Sequence, residues 1–322
     1  MQTTASQGSA PCDAGAPASA HLAALRWLLL SPPLVVVPPG ARAQLASFTD
    51  VERAGIAQWL DSLQANPSNL LAWMQAKPEV RIGRYAESLL EFYLLHAPAH
   101  AASSMPLHRL LAAHVPLRSA INGLKVTQGE LDFLLTNAQG QHLHWELAVK
   151  FFLCTATGNV ATPTDFIGPN GVETLAHKWH KLFARQLTHT PPAPWSTQPW
   201  QPQAFTRGWM FYRWGVAVPR CDALHPQHGQ GWWVDVAEMH AVPNALYAYL
   251  PRLHWMAPLA SVEQLGPQAV VLARDAMAVH LRALWASGVR STDAHMVVQL
   301  GECGVSLGGA CEVQRFFVRP QE

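Results

Sequence analysis

Charged side chains are scarce in this sequence of 322 residues. Lysine, arginine, aspartate and glutamate together make up 13% of the chain, about half of the share that is typical of soluble proteins. The formal net charge is +1, so overall charge cannot drive binding to nucleic acid, and any such binding needs a local basic patch. Hydrophobic residues reach 49%, which excludes a disordered chain and predicts a substantial core.

Cysteine pairs and membrane-spanning segments are also missing. The five cysteines include no Cys-x-x-Cys pair, so neither a zinc ribbon nor a disulfide framework is predicted, and reduced thiols indicate a cytoplasmic location. The apolar run at 22–37 is interrupted by Arg26 and by Pro32-Pro33 and follows no basic segment, so neither a membrane helix nor a secretory signal is expected. P-loop, dinucleotide-binding glycine and serine-elbow motifs are absent from the sequence.

The residue pattern predicts a flexible tail at 1–20 and one elaborated domain at 21–320, with 80–218 as its core. Five prolines within 188–204 predict a long loop. Strand-like segments follow at 208–218, 295–300 and 312–318, with a mainly helical segment at 261–286. The chain is therefore expected to combine helices and strands in one α/β domain.

Three helices are predicted from capping signals and apolar periodicity. Thr49 and Glu52 form the capping box of the first helix, whose apolar face begins at Val51. The second helix extends over 83–96 and carries a polar stripe of Arg84, Glu87 and Glu91. The third extends over 170–187, is capped by its first residue, and has the apolar stripe Val172, Leu175, Trp179, Leu182 and Phe183.

A β-hairpin is the sharpest structural prediction. Hydrophobic and polar residues alternate from 124 to 154, and the polar stretch 136–140 supplies the turn. The register that centres the turn on Gln139 places Asp132 directly opposite Glu146, with Lys150 farther along the same face. The other face is wholly apolar, with the pairs Phe133–Trp145, Leu131–Leu147 and Leu135–Leu143.

Facing carboxylates at Asp132 and Glu146 repel each other unless a proton or a cation lies between them. A divalent, oxygen-binding ion such as Mg²⁺ suits this position, and Lys150 can then meet a bound anion. The alternative is a solvated sheet face, on which Lys150 pairs with Glu146 or Asp132. The apolar residues at 151–153 favour a covered face whose charges have a function.

The hairpin segments 129–132 and 144–150 resemble the active-site hairpin of the PD-(D/E)XK nuclease superfamily. The helix that carries Glu87 resembles the acidic helix that precedes this hairpin in many members. Over 25–320 the chain more closely resembles the bacterial domain-of-unknown-function family 1853. The resembling segments are 28–33, 83–87, 129–134, 144–151, 167–170, 185–187, 231–233 and 315–318.

This resemblance implies an α/β fold with a restriction-endonuclease-like core, in which helices flank a mixed sheet, extended by helical N-terminal and mixed C-terminal elaborations. It implies a phosphodiesterase that depends on Mg²⁺ or Mn²⁺ and acts on nucleic acid. Asp132 and Glu146 would bind the metal, Glu87 would assist, and Lys150 would orient the water or the phosphate. Ala148 stands where the superfamily has its second acid. The alternative is therefore a non-catalytic nucleic-acid-binding or scaffold protein with a degenerate nuclease fold.

Cations near the end of the third helix form a second candidate feature. Three of them follow one another at i, i+3 and i+7, opposite the apolar stripe. They predict a track for the nucleic-acid backbone, with a glutamine as an added polar contact. The four residues are Lys178, Lys181, Arg185 and Gln186. The alternative is a solvated cationic face without a ligand.

Overall fold

A computed structural model describes residues 18–96, 107–121, 124–288, 293–302 and 310–320. The helices are α1 (Ala18–Leu30), α2 (Asp50–Ala65), α3 (Ser68–Ala76), α4 (Ile82–His96), α5 (Leu175–Ala184) and α6 (Arg274–Ala286). Most of the predicted tail, 1–17, lies outside the described residues, and 18–20 form the start of α1 instead. No helix in the described ranges is both long and apolar enough to span a lipid bilayer.

The strands join in one mixed sheet. They are β1 (Gln44–Leu45), β2 (His108–Ile121), β3 (Leu124–Asn137), β4 (His142–Cys154), β5 (Phe166–Ile167), β6 (Trp200–Arg213), β7 (Gly229–Asp235), β8 (Leu246–Tyr249), β9 (Val271–Ala273), β10 (His295–Glu302) and β11 (Ala310–Arg319). Their order is β2-β3-β4-β6-β7-β11-β10-β8-β9, with β1 beside β6 and β5 beside β4. Strands β4, β6, β7 and β11 run parallel, whereas the pairs toward both ends of the sheet are antiparallel.

Helices cover both faces of β4, so this strand is buried along nearly its whole length. Trp145 and Val149 pack with residues of α1–α4 in one hydrophobic cluster. Ala148 and Phe152 point to the opposite face and pack with α5 in a second cluster. The expected α/β architecture, a mixed sheet flanked by helices, is therefore confirmed.

The predicted helices are present with shifted boundaries. The Thr49–Glu52 capping box begins α2, although Val51 is exposed. The predicted start of α5 is wrong: Thr174 is its N-cap, and Val172 is exposed. The Asn170 side chain accepts a hydrogen bond from the Val172 N–H, and Gly171 has a φ of +71°, so this segment turns before the helix begins.

Two strand boundaries differ from expectation for physical reasons. Strand β2 was not predicted, because its register shifts twice against β3, between Leu110 and Ala112 and between Leu117 and Arg118, and such bulges interrupt alternation. Strand β6 begins inside the predicted loop 188–204, since Pro202 takes a place in the parallel ladder opposite His144.

Burial of His108 predicts an acid-sensitive fold. This side chain lies among Phe48, Tyr93 and Trp145, and burial lowers its pKa to about 4. The unfolded chain binds a proton near pH 6.5 and the folded chain does not, so stability should fall between pH 6.5 and pH 4, by roughly 3 kcal/mol for this group. In denaturant titrations across this range, His108→Phe should reduce the slope of stability against pH. The exposed His240→Phe should leave the slope unchanged, and an unchanged slope in His108→Phe would contradict the prediction.

Candidate functional site

Strands β3 and β4 part beside the two candidate carboxylates. Their ladder pairs Phe133 with Trp145 and Leu135 with Leu143, which confirms the predicted register. The ladder ends at the Phe133–Trp145 pair. Leu131 and Leu147, which were predicted to pair, are therefore not ladder partners. Beyond this point β3 continues along β2, and β4 continues along β6.

Asp132 and Glu146 occupy the gap that opens between the strands. The Asp132 carboxylate accepts a hydrogen bond from the Leu147 N–H at 2.8 Å, and the Glu146 carboxylate accepts one from the Asp132 N–H at 3.4 Å. Each carboxylate thus replaces a backbone acceptor that the parted ladder lacks. The structure brings the two predicted residues together, between the strands rather than above an intact sheet face.

Glu146 is fully buried and held by side chains on both sides. His144 donates from Nε2 to Oε1 at 2.8 Å, and Gln186 donates from Nε2 to Oε2 at 2.6 Å. Gln186, predicted as a polar contact in a nucleic-acid track, therefore points to Glu146 in this structure. The sequence offered one signal for His144, since it lies two residues before Glu146 and so on the same strand face.

Asp132 lies in an electrostatically unfavourable position. Burial raises its pKa well above the ordinary value, and the charges of Glu146 and Glu87 raise it further. Lys178 opposes this effect, but burial and the charge of Lys150 lower the pKa of Lys178 itself. Negative charge at Asp132 is therefore only weakly compensated by the described side chains.

Removal of this charge should stabilise the protein. In EDTA at neutral pH, we expect Asp132→Asn to raise Tm by about 2–4 °C, because the amide still accepts from the Leu147 N–H and carries no charge. A raised pKa in the folded state means that stability is lost as pH rises, so the advantage of the variant should vanish below about pH 4. Calorimetric melting against pH measures this, with the exposed Asp222→Asn as the control. A variant less stable than wild type at pH 7 would contradict the prediction.

Lys150 forms an ion pair with Glu173, which lies just before α5. The expectation that it pairs with Asp132 or Glu146 in the absence of an anion is wrong, because α5 brings a nearer carboxylate over the end of β4. The partner could not be predicted, since Glu173 follows a loop whose course depends on the tertiary fold. Both side chains are about one-third exposed, 30% and 36%, so the pair is accessible to a ligand.

Glu87 belongs to a charged cluster on α4 and β2. Arg84 donates to the Glu87 carboxylate at 2.6 Å, and burial raises the pKa of Glu87. His114 lies 3.9 Å from Glu87 and 3.1 Å from Glu130. His114 has a φ of +54°, which is unusual for a residue with a side chain. This residue interrupts the β2–β3 ladder opposite Asp132. Glu87 thus acts on Asp132 through its field, while its hydrogen bond goes to Arg84.

The predicted cation track is only partly continuous. Lys178 is partly buried and its charge acts on Asp132, whereas Lys181 and Arg185 are exposed. Arg185 has left the helical conformation, with φ −129° and ψ −66°, so it does not continue the stripe. The described residues also contain no group of three His, Cys, Asp or Glu side chains close enough to hold a metal ion.

Comparison with known families places this chain. A family model described as "Domain of unknown function (DUF1853)" matches residues 23–318. The chain belongs to this family. The match with DUF1853 includes α4, the β3–β4 hairpin and α5, and therefore every candidate site residue. Neither the curated proteins nor the solved structures gave a match to the chain.

Proposed function

We propose that this member of DUF1853 is a Mg²⁺-dependent phosphodiesterase that acts on nucleic acid and has a restriction-endonuclease-like core. The observation that carries the proposal is the pair of partly buried Asp132 and fully buried Glu146, inserted where β3 and β4 part, with negative charge that the described side chains compensate weakly. The positions of α4, the hairpin and α5 support the core that the superfamily resemblance implies. We expect Mn²⁺ to support the reaction in place of Mg²⁺.

The residues present fit a Mg²⁺ ion. This ion is commonly held by one or two protein carboxylates, with water and substrate phosphate completing its shell, so a third protein ligand is not required. Asp132 suits the role of principal ligand, because only Oδ2 of its carboxylate has a hydrogen bond within the described ranges. Glu146 would be the second ligand, held in place by His144 and Gln186.

Each side chain has a distinct part in the proposed reaction. A bound divalent ion lowers the pKa of water and offsets charge in phosphoryl chemistry. Lys150 leaves Glu173 and holds a non-bridging phosphate oxygen, which stabilises the charge that develops in the transition state. Lys178 provides a second positive charge whose field reaches Asp132. Lys181 and Arg185, exposed on and after α5, hold the flanking backbone phosphates.

A non-catalytic nucleic-acid-binding or scaffold protein is the second candidate function. Two observations favour it: the Glu146 carboxylate is enclosed by protein donors, and Lys150 already has an acidic partner. In this case the carboxylate pair is a structural element of the parted strands. The two candidates differ in their dependence on a divalent ion.

Thermal melting with and without Mg²⁺ separates the candidates. We expect Mg²⁺ or Mn²⁺ to raise the Tm of the wild type and to support cleavage of nucleic acid. Glu146→Gln should lose both the metal-induced rise and the cleavage, whereas the exposed Glu263→Gln should keep both. The metal-induced change in Tm is compared within each variant, because Glu146→Gln also disturbs the hydrogen bonds to His144 and Gln186. If neither ion changes the wild-type Tm or supports cleavage, the second candidate holds.

A further inference from the structure

A cavity of about 890 Å³ opens beside the candidate site. It lies between the segment 38–43, the C-terminal end of α5 with the residues that follow it, and the start of β6. His144 contributes to its wall and is the same residue that holds Glu146. His144 therefore connects the wall of the cavity to Glu146.

The walls of the cavity suit a flat, polar ligand. Its volume falls within the range of small-molecule sites. Trp200 and Phe183 contribute aromatic side chains to its lining, and Trp200 is partly exposed although its ring also packs beside Leu131 and Leu134. Arg42, an exposed cation, also lines the cavity and can meet a phosphate. Aromatic surface with a cation nearby is the combination that binds a nucleotide.

His144 supplies a hydrogen-bond acceptor at this wall. The ring is 1% exposed, and Nε2 lies 2.8 Å from the Glu146 carboxylate. In the neutral ring, donation from Nε2 to this carboxylate assigns the hydrogen to Nε2 and leaves Nδ1 as the acceptor. Nδ1 is enclosed and has no hydrogen-bond partner within the described residues. A buried acceptor without a donor is costly, and an N–H group that enters from the cavity would remove this cost.

We propose that this cavity binds a nucleobase, with the base stacked on Trp200, a base N–H group donated to His144 Nδ1, and a phosphate near Arg42. The proposal rests on the nucleic-acid part of the proposed function, but it does not require cleavage. The cavity would recognise the base of the substrate, a part that the carboxylate pair does not contact.

Calorimetric titration in EDTA tests the proposal, because binding is then measured without metal or cleavage. The probes are the ribonucleoside 5′-monophosphates, a single-stranded oligonucleotide, and ribose 5-phosphate, which lacks a base. We expect at least one nucleotide to bind about tenfold or more tightly than ribose 5-phosphate. If the oligonucleotide competes with the bound nucleotide, the cavity accepts a base that is part of a strand. If it does not compete, the ligand of the cavity is a free nucleotide.

Two variants of His144 separate its contacts. In His144→Gln the amide nitrogen takes the place of Nε2, so the bond to Glu146 is kept and the Nδ1 acceptor is lost. In His144→Asn the amide takes the place of Nδ1, so an acceptor remains and the bond to Glu146 is lost. We expect His144→Gln to weaken nucleotide binding by about tenfold and His144→Asn to weaken it less.

Trp200→Leu should also weaken binding about tenfold or more, while Trp214→Leu, a similar change outside the cavity, should not. Arg42→Ala changes an exposed residue and tests the phosphate contact even if Trp200→Leu does not fold. The proposal is overturned if ribose 5-phosphate binds as tightly as every nucleotide, if no probe binds at millimolar concentration, or if folded cavity variants bind as the wild type does. Because all binding is measured in EDTA, a negative metal test of the phosphodiesterase leaves these results standing.

Discussion

Lys150→Ala should reduce cleavage of nucleic acid by at least about 100-fold while leaving the fold and the metal-induced rise in Tm nearly intact. The lysine is the charge proposed to hold the phosphate, and loss of one such group commonly costs this much in rate. Its pair with Glu173 is about one-third exposed, 30% and 36%, so losing it should cost under about 1 kcal/mol of stability. Cleavage rates and Tm, each with and without Mg²⁺, measure both effects.

Two further variants make the Lys150 result specific. Lys181→Ala removes an exposed cation from α5 and should weaken nucleic-acid binding without a comparable loss in the rate at saturating substrate. Glu173→Gln frees Lys150 from its ion pair and should preserve cleavage. If Lys150→Ala cleaves as the wild type does, Lys150 has no role in the reaction. If it unfolds in saturating Mg²⁺, Lys150 is structural.

Gly208→Ala should be among the most destabilising single substitutions in the chain, with a cost of roughly 3–5 kcal/mol. Gly208 lies opposite Lys150 in the parallel β4–β6 ladder and has a φ of +155°. A Cβ atom there would lie 1.8 Å from the Lys150 carbonyl oxygen, so the two strands would have to separate. We expect a large fall in the denaturant midpoint and loss of cleavage, since the backbone that positions Lys150 must move.

Gly215→Ala is the matched control for Gly208→Ala. Gly215 also has a positive φ, +75°, but a Cβ atom there would have no neighbour within 4 Å. It should cost only about 1–2 kcal/mol, which is the conformational part of the effect. Equal losses in the two variants would show that close approach to Lys150 is unimportant.

The sequence predicted those parts of the site that depend on local pattern. An apolar residue at every second position on both sides of a polar turn predicted the register of Phe133 with Trp145, and with it the proximity of Asp132 and Glu146. The helix of Glu87 was predictable for the same reason, since its apolar and polar residues follow a helical period. In each case the information lies within about fifteen residues of continuous chain.

Contacts between distant segments could not be predicted in this way. Glu173 meets Lys150 because Gly171 turns the chain before α5, and Gln186 meets Glu146 because the chain leaves the helix at Arg185. No periodic pattern distinguishes these side chains from exposed polar residues. The missed strand β2 has a similar origin, since its bulges are defined only by its pairing with β3.

The place of β11 in the sheet has a consequence for synthesis of the chain. This strand lies between β7 and β10, and it is parallel to β7, which is far away in sequence. Strands β2, β3 and β4 can pair as soon as they emerge from the ribosome, whereas β7 must wait for β11 before one of its edges is covered. During translation that edge remains available to other chains. Aggregation of nascent protein should therefore begin at β7, and a chaperone that shields this strand should raise the yield of folded molecules.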